Sequence, residues 1–209
     1  MKAPPRFIAR QLAHPRGLVG RFVSNVMNRH NAAVNRSVVR TRAVEAGHRV
    51  LDVGFGGDVA VAPLPARGAI VTGVDRSTAM VRSAKRRLAS EVDPRRASFR
   101  CGNVEATLPF EAACFDRAST VNTVYFWRPL RAGFAEVRRT LVPRGRLAVG
   151  FVSKAQMDAR AFPVDIFTSR SSHDVAVALR EVGFVDVRIE TPEDDVWCVV
   201  SAVNRSDHA

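Results

Sequence analysis

A doubly wound α/β domain is the fold this sequence predicts, with a mostly parallel seven-stranded sheet, helices on both faces and an antiparallel last strand. Three observations carry that expectation. Short apolar runs alternate with amphipathic stretches from residue 47 to residue 203, the order that builds a parallel sheet covered by helices. The first run stops at a glycine cluster, Gly54-Phe55-Gly56-Gly57, and the second stops at a carboxylate, Asp75. The last two runs are separated only by the acidic turn 190–195. That link is too short for the crossover that parallel pairing needs, so those strands pair antiparallel.

Taken in order, residues 17–46 carry Leu18, Phe22, Val26, Met27, Val34, Val38 and Val39 at three- and four-residue spacings among arginines and asparagines, which predicts one or two amphipathic helices. Residues 49–53 form a β-branched run, followed by the glycine turn, a helix-like stretch and a second strand over 69–74. Strand, turn, helix and strand make a βαβ unit with a right-handed crossover. A helix over 78–90, strands over 97–101 and 117–121 and a helix over 130–141 continue the alternation. Pro143-Arg144-Gly145 predicts a turn into a strand over 146–152. A helix over 173–181 closes at Gly183, where glycine suits a C-terminal cap, before strands over 184–189 and 196–203.

The 209 residues suffice for one core of ordinary size. Two segments are expected within it, a basic helical leader over 1–46 and the α/β domain proper over 47–209. No apolar run reaches the length of about 20 residues that crosses a bilayer. Arginines and a histidine interrupt residues 1–20 too often for a secretory signal, so a cytoplasmic protein is expected. Cys101, Cys114 and Cys198 are scattered and odd in number, which argues against both a disulfide framework and a metal site.

The net charge of +12 is carried almost wholly by arginine, since Lys2, Lys85 and Lys154 are the only lysines. Nine basic residues and no acid precede Glu45. Such a leader is compatible with nucleic acid or an anionic membrane surface, but solvated helix faces explain the charge more simply, and no RNA-binding signature supports the former.

The chemistry gathers at Asp52-Val53-Gly54-Phe55-Gly56-Gly57-Asp58, at the carboxyl end of the first strand, where open α/β sheets bind ligands. Glycine there permits a tight turn and a close approach of backbone to ligand. Asp75 ends the second strand about 20 residues further on, the position from which an acid accepts hydrogen bonds from both hydroxyls of a ribose.

Residues 50–57, 71–75, 102–110 and 141–149 resemble successive motifs of the class I S-adenosylmethionine-dependent methyltransferases, and the resemblance covers most of 47–203. It implies S-adenosylmethionine as cofactor in a Rossmann-like domain. It also implies that Asp52 lies near the methionine ammonium and that the turn of Gly54, Phe55, Gly56 and Gly57 lies beside the methionine part and the ribose. By the same resemblance Asp75 binds the ribose, Arg76 and Met80 cover the adenine, and Asn103 with Val104 meets its edge. Asn103 stands where the family usually has aspartate, and its amide oxygen still accepts a hydrogen bond. Asn122, in Val121-Asn122-Thr123, matches the strand end that faces cofactor and substrate.

Three residues depart from the family pattern. Asp58 replaces the third glycine of the turn, Pro65 falls within the following helix, and Arg144 replaces the first glycine of a Pro-Gly-Gly turn. They raise the alternative of a cofactor-binding homologue with weakened or lost turnover. An NAD(P)-dependent oxidoreductase is the other alternative, but Val59 stands where its GxGxxG pattern needs glycine, and the sole tyrosine, Tyr125, has no lysine nearby. Tyr125, Phe126 and Trp127 are candidates for an apolar acceptor pocket, and a small, partly apolar acceptor is expected. His30 is a candidate base that reads more simply as a surface histidine, and no catalytic residue is assigned.

Overall fold

The computed structural model describes residues 5–13, 32–56, 68–88, 93 and 95–205. Among the described residues two helices precede the sheet, α1 (Arg6–Ala13) and α2 (Ala32–Thr41). The strands are β1 (Arg49–Val53), β2 (Ile70–Asp75), β3 (Ala97–Cys101), β4 (Phe115–Val121), β5 (Leu141–Val152), β6 (Phe184–Glu190) and β7 (Trp197–Asn204). Between them lie α3 (Thr78–Leu88), α4 (Leu130–Thr140), α5 (Lys154–Ala159) and α6 (Ser172–Glu181).

All seven strands form one sheet in the order β3-β2-β1-β4-β5-β7-β6. β1 to β5 pair in parallel, and β7 runs antiparallel to both β5 and β6, as the short acidic link requires. The strand order reverses at β1, which has β2 on one side and β4 on the other. Connections leaving the carboxyl ends of β1 and β4 therefore part, and a crevice opens between them.

Alternation along β5 shows how both faces are covered. Leu147, Val149 and Phe151 enter a large core with Phe134 and Val137 of α4 and Val175 and Leu179 of α6. Ala148 faces the other way, with Val199 of β7, onto Val34 and Val38 of α2. A β-carbon on Gly150 would lie 2.5 Å from Val38 Cγ2 and 2.8 Å from Val34 Cγ2, so the leader helix rests directly on the sheet. α6 starts with a reciprocal cap: Asp174 N–H donates to Ser171 Oγ at 3.0 Å, and Ser171 N–H donates to Asp174 Oδ2 at 2.9 Å. Gly183, at φ 94°, ends it in the left-handed conformation.

Three local features differ from expectation. β5 begins at Leu141 rather than residue 146, because its pairing with β4 jumps from Phe115↔Leu141 to Arg117↔Arg146. Pro143-Arg144-Gly145 thus forms a bulge inside the pairing, with Arg144 at φ 63°. α5 and a 3₁₀ turn over Val124–Phe126 are helical segments that periodicity did not reveal. α1 lies within the expected helical leader but ahead of residues 17–46, whose apolar spacing carried the helix prediction. The leader stretch 17–31 with His30, and Gly57, Asp58 and Pro65 beyond the glycine turn, lie outside the described residues. Among the described residues no helix is long and apolar enough to cross a membrane.

Candidate functional site

At the end of β1 the backbone turns through Gly54 (φ 69°) and Gly56 (φ 51°), both left-handed. Gly54 N–H donates to the Val74 carbonyl at 2.7 Å, which fastens the turn to the end of β2. A β-carbon at Gly54 would lie 2.4 Å from Thr123 Cγ2, so the turn and the end of β4 approach to a separation that only glycine permits. Phe55 turns inward and packs edge-on against Phe99 with ring centroids 5.1 Å apart. Both rings lie over Gly73, where a β-carbon would come within 2.7 Å of each.

Asp75, only 9% exposed, faces that turn. Its Oδ2 accepts the Gly56 N–H at 3.1 Å and its Oδ1 accepts the Ser77 N–H at 2.8 Å. Burial pushes its carboxyl above the usual carboxylate range, while the Ser77 and Gly56 N–H groups and the Arg76 charge oppose the shift. Arg76 donates from Nη2 to the Ala13 carbonyl at 2.7 Å, and its guanidinium lies 5.4 Å from the Phe126 ring centroid. One side chain thus joins α1, the β2 end and the aromatic segment after β4.

Beneath the turn, Asp52 is buried and its Oδ1 accepts the Ser119 hydroxyl at 2.9 Å. Ser119 in turn accepts a hydrogen bond from Arg42 Nη1 at 2.7 Å. Arg42 directly follows α2 and is fully buried; desolvation lowers its pKa and the Asp52 charge counters that effect. Asn122 holds a left-handed conformation (φ 56°), which asparagine tolerates better than most residues. Its Oδ1 accepts from Tyr125 Oη at 2.9 Å and from Val152 N–H at 3.1 Å, and these bonds fix the end of β4 against β5. Burial pushes the Tyr125 phenol well above its usual pKa, so it serves here as a neutral hydrogen-bonding group.

These groups line one cavity of about 220 Å³. Its polar lining includes Asp52, Gly54, Gly56, Asp75 and Asn103, and its aromatic lining includes Tyr125, Phe126, Trp127, Phe162 and Phe167. Of the expected cofactor residues, Phe55, Arg76, Val104 and Asn122 also line it. Asn103 Oδ1 accepts the Glu105 N–H at 3.2 Å, which uses one of its two acceptor positions and leaves the other. Met80 does not line the cavity: the register of α3 turns it into a separate apolar cluster with Val81, Phe55 and Phe99. Gly57 lies outside the described residues.

The sequence did not point to Leu12, Asn35, Arg160, Phe162 or Phe167, all of which line the cavity. Asn35 carried a usable signal, as an amide beside Val34 in a stretch whose apolar spacing predicts a buried helix face, and it is 8% exposed. The other four lie in α1 and in the segment after β5, where no periodic pattern marks them. Among the described residues no group of three or more His, Cys, Asp or Glu side chains is placed to hold a metal ion.

A buried carboxylate facing a left-handed glycine turn, both lining one cavity at the carboxyl ends of the parallel strands, suits a ligand with a ribose and a flat base. The fold and the site thus define an open α/β domain built for a nucleoside-bearing cofactor. Residues 51–149 match the family described as Methyltransferase domain. The chain is 29% identical over 188 residues to Erythromycin 3''-O-methyltransferase of Saccharopolyspora erythraea, covering 79% of this chain and 60% of that protein. It is 26% identical over 167 residues to Uncharacterized methyltransferase YdaC of Bacillus subtilis, covering 79% of this chain and 87% of that one. An SAM-dependent methyltransferase from Aquifex aeolicus superposes with a TM-score of 0.69 at 20% identity, over 81% of this chain and 89% of the other. The match marks residues 51–149 as a methyltransferase domain, whose cofactor is S-adenosylmethionine.

Proposed function

We propose that this protein transfers a methyl group from S-adenosylmethionine to a small, partly apolar acceptor. The observation that supports this reading is the continuity of the cavity, in which the polar lining around Asp75 and Gly54 and the aromatic lining around Tyr125 and Phe167 share one space. In this reading Asp75 accepts the ribose hydroxyls, the backbone of Gly54 and Gly56 lies along the ribose and methionine part, and Asn103 accepts from the adenine amino group. Asp52 faces the methionine ammonium. Bound there, S-adenosylmethionine supplies a methyl group on a positively charged sulfur.

The chain's own contribution is placement. Phe167 packs tilted against Phe126 and edge-on against Phe162, with ring centroids 5.0 and 4.9 Å apart, and the three present an apolar wall to an acceptor. Tyr125 and Asn122, locked to each other and to Val152, hold the junction between the two linings. A hydroxyl is the first acceptor class to try, because the relative from Saccharopolyspora erythraea is named as an O-methyltransferase.

Calorimetric titration with S-adenosylmethionine, S-adenosylhomocysteine and NADH tests the reading. The two sulfur nucleosides are expected to bind and NADH is not. Binding of NADH alone reverses the assignment. Binding of the sulfur nucleosides without methyl transfer to any of a panel of small phenols, alcohols and amines favours the attenuated homologue instead.

A further inference from the structure

Arg160 stands apart from every other charged residue that lines the cavity. Among the described residues the remaining four are Asp52, Asp75, Arg76 and Glu105. Asp52 accepts from Ser119, Asp75 from two backbone N–H groups, and Arg76 is held by the Ala13 carbonyl and the Phe126 ring. Glu105 accepts the backbone N–H of Arg128. Arg160, by contrast, has a buried Nε with no hydrogen-bond partner among the described residues.

Its position is fixed by its surroundings. Arg160 ends α5, where its backbone N–H donates to the Gln156 carbonyl at 3.2 Å. The same helix is anchored by buried Met157 and by Ser153, whose hydroxyl donates to the Asp195 carbonyl at 2.5 Å. The cavity lining nearest to it in sequence is Met157, Phe162 and Phe167, none of which can neutralise a cation. A partly sheltered guanidinium without a counter-ion carries a desolvation cost that a ligand anion would offset. Its planar fork of donors matches two oxygens held in one plane.

We propose that Arg160 reads an anionic oxygen group, in its simplest form a carboxylate, on an aromatic methyl acceptor whose ring lies against Phe126, Phe162 and Phe167. The assignment rests on the reading of this cavity as a methyltransferase site. It makes Arg160 a specificity-determining residue and narrows the acceptor from partly apolar molecules in general to aromatic acids.

The test uses the full chain saturated with S-adenosylhomocysteine and a matched probe pair, 4-hydroxybenzoate and 4-hydroxybenzyl alcohol. Calorimetry should show the carboxylate binding about tenfold or more tightly than the alcohol, the size expected of one charge-assisted contact. Arg160→Met should bring the two probes within about twofold, and Arg160→Lys should restore part of the preference. Unchanged affinity of Arg160→Met for S-adenosylhomocysteine shows that the variant is folded. Equal affinities in the wild type, a preference that survives Arg160→Met, or binding of neither probe while S-adenosylhomocysteine binds each overturns the assignment. Failure of S-adenosylhomocysteine itself to bind removes the methyltransferase reading, and this assignment with it.

Discussion

The Arg42 guanidinium and the Asp52 carboxylate meet across a single hydroxyl, that of Ser119, with hydrogen bonds of 2.7 and 2.9 Å. A cation from the end of the leader helix thereby sits under a carboxylate that lines the cavity. Both side chains are buried, so losing one changes the electrostatic balance around the other.

Arg42→Met is accordingly expected to cost about 3 kcal/mol or more of stability, the size usual for breaking a buried hydrogen-bonded charge network. Ser119→Ala should cost less, about 1 to 3 kcal/mol, because it removes the bridging hydroxyl and leaves both charges in place. Urea unfolding of the two variants checks both the size and the order. Equal stability of Arg42→Met and wild type would show that the bridge contributes nothing.

Asp75 links pH to stability and to binding in opposite directions. Its folded pKa is raised, so between the ordinary aspartate value and that raised value the native state holds a proton that the unfolded chain has lost. Stability falls as pH rises through this window. Asp75→Asn removes the effect, so its stability relative to wild type should improve from about pH 4 upward. Cofactor affinity should move the other way in the wild type, strengthening as the carboxylate ionises, and should drop about tenfold or more in Asp75→Asn. Thermal melts and titrations with S-adenosylmethionine at several pH values separate the two trends.

Gly54→Ala should both destabilise the protein, by about 1 to 3 kcal/mol, and weaken cofactor binding, since it adds a β-carbon at a left-handed residue. Part of that cost is the collision with Thr123 Cγ2. Thr123→Ser removes that methyl group, so the double variant should recover some stability while the backbone strain persists. Additive losses in a double-mutant cycle would show that the two residues do not press on each other.

Arg144→Gly should stabilise the protein by about 0.5 to 1 kcal/mol, because arginine there occupies φ 63°, a conformation that costs a residue with a β-carbon about 1 to 2 kcal/mol. Chemical denaturation measures it, and a loss of stability would place the strain elsewhere.

The sheet was legible because most strands carry a short apolar run bounded by glycine, proline or charge, and because covered faces leave little room for polar residues. The polar lining of the cavity was legible for a related reason. Gly54, Gly56, Asp75 and Asn122 sit at strand ends, where local backbone demands restrict the residue type. Arg42 was read as one more arginine in a basic leader, since only the tertiary packing of α2 reveals that it is buried. Met80 was assigned to the cavity by its place in the family pattern, but one turn of α3 carries it into the apolar cluster behind Phe55. Phe162 and Phe167 lie in a stretch without regular structure, and no periodicity links them to Phe126.

The sheet order has a consequence for synthesis on the ribosome. β6 touches no strand except β7, and β7 is made after it. The nascent chain can therefore lay down its parallel half early, yet β6 must wait without a neighbour until Trp197–Asn204 has been made. Closure of that flank has to follow synthesis of β7, and a premature stop before Trp197 would leave β5 with a bare edge in what should be the interior of the sheet.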